Sequence, residues 1–84
     1  MYEIYWARKA AKQLLKLPVR VQRMIYTSVD EVENFPENSQ VKKLADHDYG
    51  YRLRVGRYRV LFDADREVRI IDIQEVKKRD ERTY

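Results

Sequence analysis

The stretch Tyr51-Arg52-Leu53-Arg54-Val55-Gly56-Arg57-Tyr58-Arg59-Val60-Leu61-Phe62 decides the fold. Apolar and charged residues alternate on both sides of Gly56-Arg57, which is the period of half-buried strands. Gly56-Arg57 reads as a two-residue hairpin connection, with glycine at the first central position where a type II′ turn needs a positive φ. That turn sets the register: Arg54 opposite Arg59, Leu53 opposite Val60 and Arg52 opposite Leu61. Directly opposed residues point to the same side of a sheet, so Arg52, Arg54 and Arg59 share one face. Like charges across a ladder destabilise it, and no acidic residue lies between Asp48 and Asp63 to relieve them. A face that accepts this cost is expected to meet an anion, with phosphate the first candidate.

Downstream, Asp63-Ala64-Asp65-Arg66-Glu67 turns the chain into a last strand over residues 68–76. A turn centred on Asp65-Arg66 sets Val60 opposite Ile71, Tyr58 opposite Ile73 and Asp72 opposite Arg59. An ion pair inside the sheet therefore competes with a ligand role for Arg59. Upstream, residues 40–50 read as loop or a short edge element holding Val41-Lys42-Lys43-Leu44 and Asp46-His47-Asp48, whose lone histidine is expected to be exposed. Residues 7–16 carry Ala10, Ala11, Leu14 and Leu15 at helical spacing, with Arg8, Lys9, Lys12 and Lys16 as a solvated side. Leu17-Pro18 breaks that helix and opens a second one from 18 to about 34, buried through Val21, Ile25, Val29 and Val32. Residues 2–6 form the opening strand. The order βααβββ indicates an α+β domain, a twisted and mainly antiparallel sheet with both N-terminal helices on one face and the arginines on the other.

With 84 residues and 44% hydrophobic content, residues 1–84 make one domain with a single modest core. The absence of cysteine excludes a disulfide scaffold, Cys-ligated zinc and thiol catalysis, and fits a reducing cytoplasm. No run approaches the roughly 18 apolar residues of a membrane span, and the opening residues do not have the pattern of a signal peptide. A soluble, cytoplasmic protein with no membrane association is expected. The net charge of +4 favours anionic partners. Its distribution says more: residues 1–48 hold eight basic and seven acidic side chains, residues 49–84 ten and seven, so the useful asymmetry is the acid-free hairpin.

Taken in order, the stretch Lys9-Ala10-Ala11-Lys12-Gln13-Leu14-Leu15-Lys16-Leu17-Pro18, the hairpin and the closing Lys77-Lys78-Arg79-Asp80-Glu81-Arg82-Thr83-Tyr84 resemble the RelE/ParE superfamily of bacterial toxins. The resemblance covers nearly the whole chain. It implies a fold like that of microbial ribonucleases and, for the RelE branch, cleavage of mRNA in the ribosomal A site without metal or cofactor. It also implies silencing by a cognate acidic, RelB-like antitoxin encoded beside the toxin. The family's basic pair on the first hairpin strand falls on Arg52 and Arg54, often lysines in RelE proteins. Its next-strand arginine falls on Arg59, its tail arginine on Arg79 and its near-terminal tyrosine on Tyr84. Arg57, Lys43, Lys77 and Lys78 are expected to contact RNA around this set.

Metal-free cleavage proceeds by attack of the 2′-OH on the adjacent phosphate. It needs in-line geometry, neutralisation of the phosphorane oxygens, a proton acceptor and a proton donor. The resemblance assigns Arg54 and Arg59 to the scissile phosphate, Arg52 to the same or a neighbouring one, Arg79 to the leaving group and Tyr84 to base stacking or to the 2′-OH. Guanidinium groups clamp phosphate but are poor proton acceptors. The base stays open between Lys78, an ionised Tyr84, a ribosomal group and water. The competing expectation is a ParE-like inhibitor that binds DNA gyrase and performs no chemistry.

Overall fold

The computed structural model describes residues 2–34 and 40–78. The expectations for Phe35-Pro36-Glu37-Asn38-Ser39, Arg79 and Tyr84 lie outside the described residues. The chain runs through β1 (Glu3–Trp6), α1 (Arg8–Leu15), α2 (Val19–Asp30) with a 3-10 turn (Glu31–Asn34), β2 (Val41–Lys43), β3 (Tyr51–Val55), β4 (Tyr58–Asp65) and β5 (Ile70–Lys78). The sheet order is β1-β5-β4-β3-β2, with β1 parallel to β5 and every other pair antiparallel. The expected α+β architecture therefore gains one strand over βααβββ, because the short edge element at Val41 pairs with β3.

The helical corner follows from Pro18. The N–H of Leu17 still donates to Leu14 O, while Pro18 O accepts from the N–H groups of Val21 and Gln22 and so begins α2. Gln22 Nε2 donates back to Leu17 O at 2.8 Å and closes the corner. Val21, Ile25, Val29 and Val32 are all buried, as their spacing requires. In α1 the buried stripe narrows to Ala10 and Leu14, and Leu15 is 68% exposed against expectation. The helix ends at Leu15, one position beyond the Ala10–Leu14 row that faces the core.

In the hairpin the structure repeats the sequence register: Arg54 pairs with Arg59, Leu53 with Val60 and Arg52 with Leu61. Gly56 has φ +57, and Arg57 is not among the residues with positive φ, as a type II′ turn demands. Tyr51, Leu53, Val55, Tyr58, Val60 and Phe62 form the inner face against the helices, with the Tyr51 and Phe62 rings stacked at 5.5 Å.

The β4–β5 register differs from expectation. The turn is wider than Asp65-Arg66: Asp65 still pairs with Ile70, its Oδ1 accepts from the N–H groups of Glu67 and Val68, and Arg69 turns the chain at φ 59. Val68 is consequently 62% exposed and outside the strand. Ile71 faces Ala64, Val60 faces Val76, Tyr58 faces Lys78, and Arg59 faces Lys77 in place of Asp72. The pairing also slips between Phe62–Ile73 and Leu61–Glu75, which leaves Gln74 as the extra residue of a β-bulge. Strict alternation after Ile71 and Ile73 would push Glu75 into the core and Val76 out of it. The bulge reverses both: Val76 joins the core and Glu75 turns to the outer face.

Candidate functional site

The outer face of the sheet is polarised. At one end Lys42 opposes Arg52, Arg54 opposes Arg59 and Arg59 opposes Lys77. At the other end Asp63 opposes Asp72, which in turn neighbours Tyr5 of β1. Asp63 lies four positions along β4 from Arg59, about 13 Å of strand, so the acidic end does not neutralise the basic one. The Tyr5 hydroxyl donates to Glu3 Oε2 at 2.8 Å, and that hydrogen bond, with the carboxylate charge behind it, pushes the phenol above its usual range. Opposed like charges weaken a sheet, and an anion spanning these cations would offset that cost.

Arg59 is the most constrained of these groups. Its side chain is half-buried and its Nε is buried without a hydrogen-bond partner. A buried donor left unpaired is costly. Arg52 is half-buried, while Arg54 and Lys77 are exposed on the same face. Arg57 is exposed in the turn. Lys43 opposes Tyr51 and Lys78 opposes Tyr58, so the register puts both on the helix side of the sheet. Lys42 holds the outward place next to Arg52. Arg54 also lines a groove of about 600 Å³ between α2 and the hairpin, rimmed by Arg20 and Arg23.

Two further residues belong here that the sequence reading placed elsewhere or passed over. Glu75 is the one buried charged residue among those described, at 9% exposure. Its Oε1 lies 3.3 Å from Lys9 Nζ and its Oε2 3.6 Å from Lys77 Nζ. Burial works against the charged carboxylate, but the Lys9 hydrogen bond, the charges of Lys77 and Lys9 and a hydrogen bond from Tyr49 outweigh it and hold the group below the usual range. Lys9 stays on the solvated side expected of it, at 59% side-chain exposure, and reaches Glu75 from there. The signal for Glu75 was present in Ile71-Asp72-Ile73-Gln74-Glu75-Val76, where apolar residues at 71, 73 and 76 break the alternation by one.

The shift has a consequence for folding. A carboxyl lowered in the folded state contributes stability that is complete above its unfolded value of about 4.3 and lost as pH falls through the folded one. Glu75→Gln is therefore expected to flatten the acid limb of a plot of melting temperature against pH, with the two proteins converging in their acid response once the pH has fallen through the folded value. Melting followed by circular dichroism between pH 3 and 7 checks this.

Among the described residues no group of three or more His, Asp or Glu is placed to hold a metal ion, and no helix is long and apolar enough to cross a membrane. Asp46 and Asp48 are exposed beside His47, whose Nδ1 accepts the Tyr49 N–H at 3.1 Å. What the site offers is a rigid array of cations on paired strands, suited to holding a chain of phosphates.

Comparison with known proteins identifies the family. The sequence profile described as "ParE toxin of type II toxin-antitoxin system, parDE" matches residues 4–83. A search of curated proteins found no match. Among solved structures, the chain is similar to RelE in the archaeal RelE–RelB complex from Pyrococcus horikoshii, at 28% identity over 95% of this chain and 97% of that one, with a TM-score of 0.79. The RelBE2 toxin–antitoxin complex from Mycobacterium tuberculosis matches at 25% identity over 93% and 98%, with a TM-score of 0.80. The isolated E. coli RelE toxin shares the fold at 20% identity, covering 99% and 89%, with a TM-score of 0.82. With four-fifths or more of its length inside the profile and its βααββββ topology shared with RelE structures, the chain belongs to the ParE toxin family of type II toxin–antitoxin systems, within the RelE/ParE superfamily.

Proposed function

We propose that this toxin is a ribosome-dependent endoribonuclease that cuts mRNA in the A site. The observation that carries the reading is the run of opposed like charges, Lys42–Arg52, Arg54–Arg59 and Arg59–Lys77, on one outward face. In the reaction the 2′-oxygen bonds to the adjacent phosphorus while the bond to the 5′-oxygen breaks, giving a 2′,3′-cyclic phosphate and a 5′-OH. The 2′ proton goes to a base, and the leaving oxygen receives one. Arg54 and Arg59 hold the scissile phosphate and neutralise the charge that builds on it, and Arg52 holds the same or the next phosphate. Arg79 serves the leaving group, and Tyr84 stacks on a nucleobase or orients the 2′-OH, as the family pattern suggests for the tail. Such an enzyme works in the cytoplasm, where messages are translated.

The partner proposed for control is an acidic, RelB-like antitoxin. RelE-type relatives crystallise with RelB, and an acidic segment laid over Arg52, Arg54 and Arg59 would exclude RNA. A second reading, gyrase inhibition without nuclease activity, is favoured by the ParE profile itself. Primer extension on mRNA in a translating extract, run beside a gyrase supercoiling assay, separates the two. Cuts within codons carrying 5′-OH ends are the expected result. Intact messages with blocked supercoiling would overturn the nuclease reading.

A further inference from the structure

We propose that Lys9 and Lys77, gripped by Glu75, form a second phosphate subsite that binds a neighbouring phosphate of the RNA held at Arg59. The inference rests on the nuclease reading and adds to it a residue from α1 and the carboxylate that sets it in place. Three observations converge on this corner. The bulge at Gln74 turns Glu75 outward when simple alternation would bury it among Ile71, Ile73 and Val76, and bulges recur where a strand must re-aim a side chain beside a site. Glu75 opposes Leu61, one outward position along from the Arg59–Lys77 pair. Its two carboxylate oxygens then take one ammonium each, from two different elements.

A carboxylate in a phosphate site needs justification. Lys9 and Lys77 side chains stay 59% and 57% exposed while Glu75 is 11% exposed, so the cations face solvent and the anion lies beneath them. Lys9 spends one of its three ammonium donors on Glu75, and Lys77 stands at ion-pair distance from it, so donors remain on both for an incoming oxygen. The group keeps a net charge of +1. A free lysine loses rotamer freedom when it is fixed, and the shared carboxylate restricts both side chains before RNA arrives. The contact is not required to fasten α1 to the sheet. Gln13 Oε1 already accepts the Val76 N–H at 2.7 Å, and Ala7 N–H donates to Ile73 O at 2.8 Å. For the helix itself Lys9 is poorly placed, in a first turn with Arg8 and no acidic residue, where a cation opposes the helix dipole.

The test is the salt dependence of binding to a short single-stranded RNA with 2′-O-methyl sugars, measured by fluorescence anisotropy together with cleavage of ribosome-bound mRNA. Lys9→Met is expected to weaken binding several-fold and to reduce the slope of log K against log salt by about 0.7, the contribution of one phosphate contact to a single strand. Lys9→Arg should restore the slope. Lys12→Met, which removes the same charge from the same helix away from Glu75, should leave it unchanged. In a Glu75→Gln background the Lys9→Met change should lose most of its effect, because the lysine is no longer held. A Lys9→Met slope equal to wild type, or a loss matched by Lys12→Met, overturns the subsite while wild-type cleavage leaves the nuclease reading standing. Wild-type protein that neither binds the RNA nor cuts the message overturns that reading instead.

Discussion

Arg59→Ala should lower cleavage of ribosome-bound mRNA by about 10²-fold or more, the scale of losing one preorganised transition-state donor. The protein should remain folded. Arg59 stands between Arg54 on one neighbouring strand and Lys77 on the other, so truncation removes two like-charge contacts along with its half-buried stem. These effects offset, and the melting temperature is expected to hold or rise. The rate loss should fall on the chemical step, because Arg54 and Lys77 still provide electrostatic attraction for the message. Single-turnover cleavage on programmed ribosomes, beside a thermal melt, checks both parts. A variant that cleaves normally, or that loses activity only by unfolding, would remove Arg59 from the site. The ion pair with Asp72 that would make unfolding the natural outcome is absent, since Asp72 pairs with Asp63 at the other end of the face.

Phe62→Ala should be the most destabilising single change in the described core. Phe62 is fully buried, lies at the slip in register between β4 and β5, and stacks on Tyr51 of β3. Phenylalanine-to-alanine changes in packed cores cost about 3–5 kcal/mol, through lost burial and the cavity left behind. Whole-domain stabilities are only about 5–15 kcal/mol, so the variant should lose a large fraction of its stability and show a urea midpoint far below wild type. Leu15→Ala, at an exposed position of similar hydrophobicity, should shift stability by no more than about 0.5 kcal/mol. Paired urea titrations followed by circular dichroism test the contrast, and a Phe62→Ala midpoint close to wild type would contradict the packing described.

Local rules carried far in this chain because several of its decisive features are local. The period-2 run on either side of Gly56-Arg57 and the positive φ of Gly56 are properties of twelve consecutive residues, and they determined the hairpin, its register and the shared face of Arg52, Arg54 and Arg59. The spacing of Val21, Ile25, Val29 and Val32 likewise determined the buried side of α2. The family was legible from the order of these pieces.

The remainder needed the tertiary structure, since it depends on contacts between residues far apart in sequence. Whether Asp65 still pairs after the turn, and whether β5 carries a bulge, is decided by which inner residues fit against Val60 and Phe62. The result moved Arg59 from Asp72 to Lys77. The same bulge brought Glu75 to the outer face, where Lys9, 66 positions earlier, reaches it. Pairing with β3 chose Lys42 over Lys43 for the arginine side. A one-residue slip in a strand exchanges its two faces, so sequence alone determined which residues alternate, and only packing across the sheet decided which of them meet.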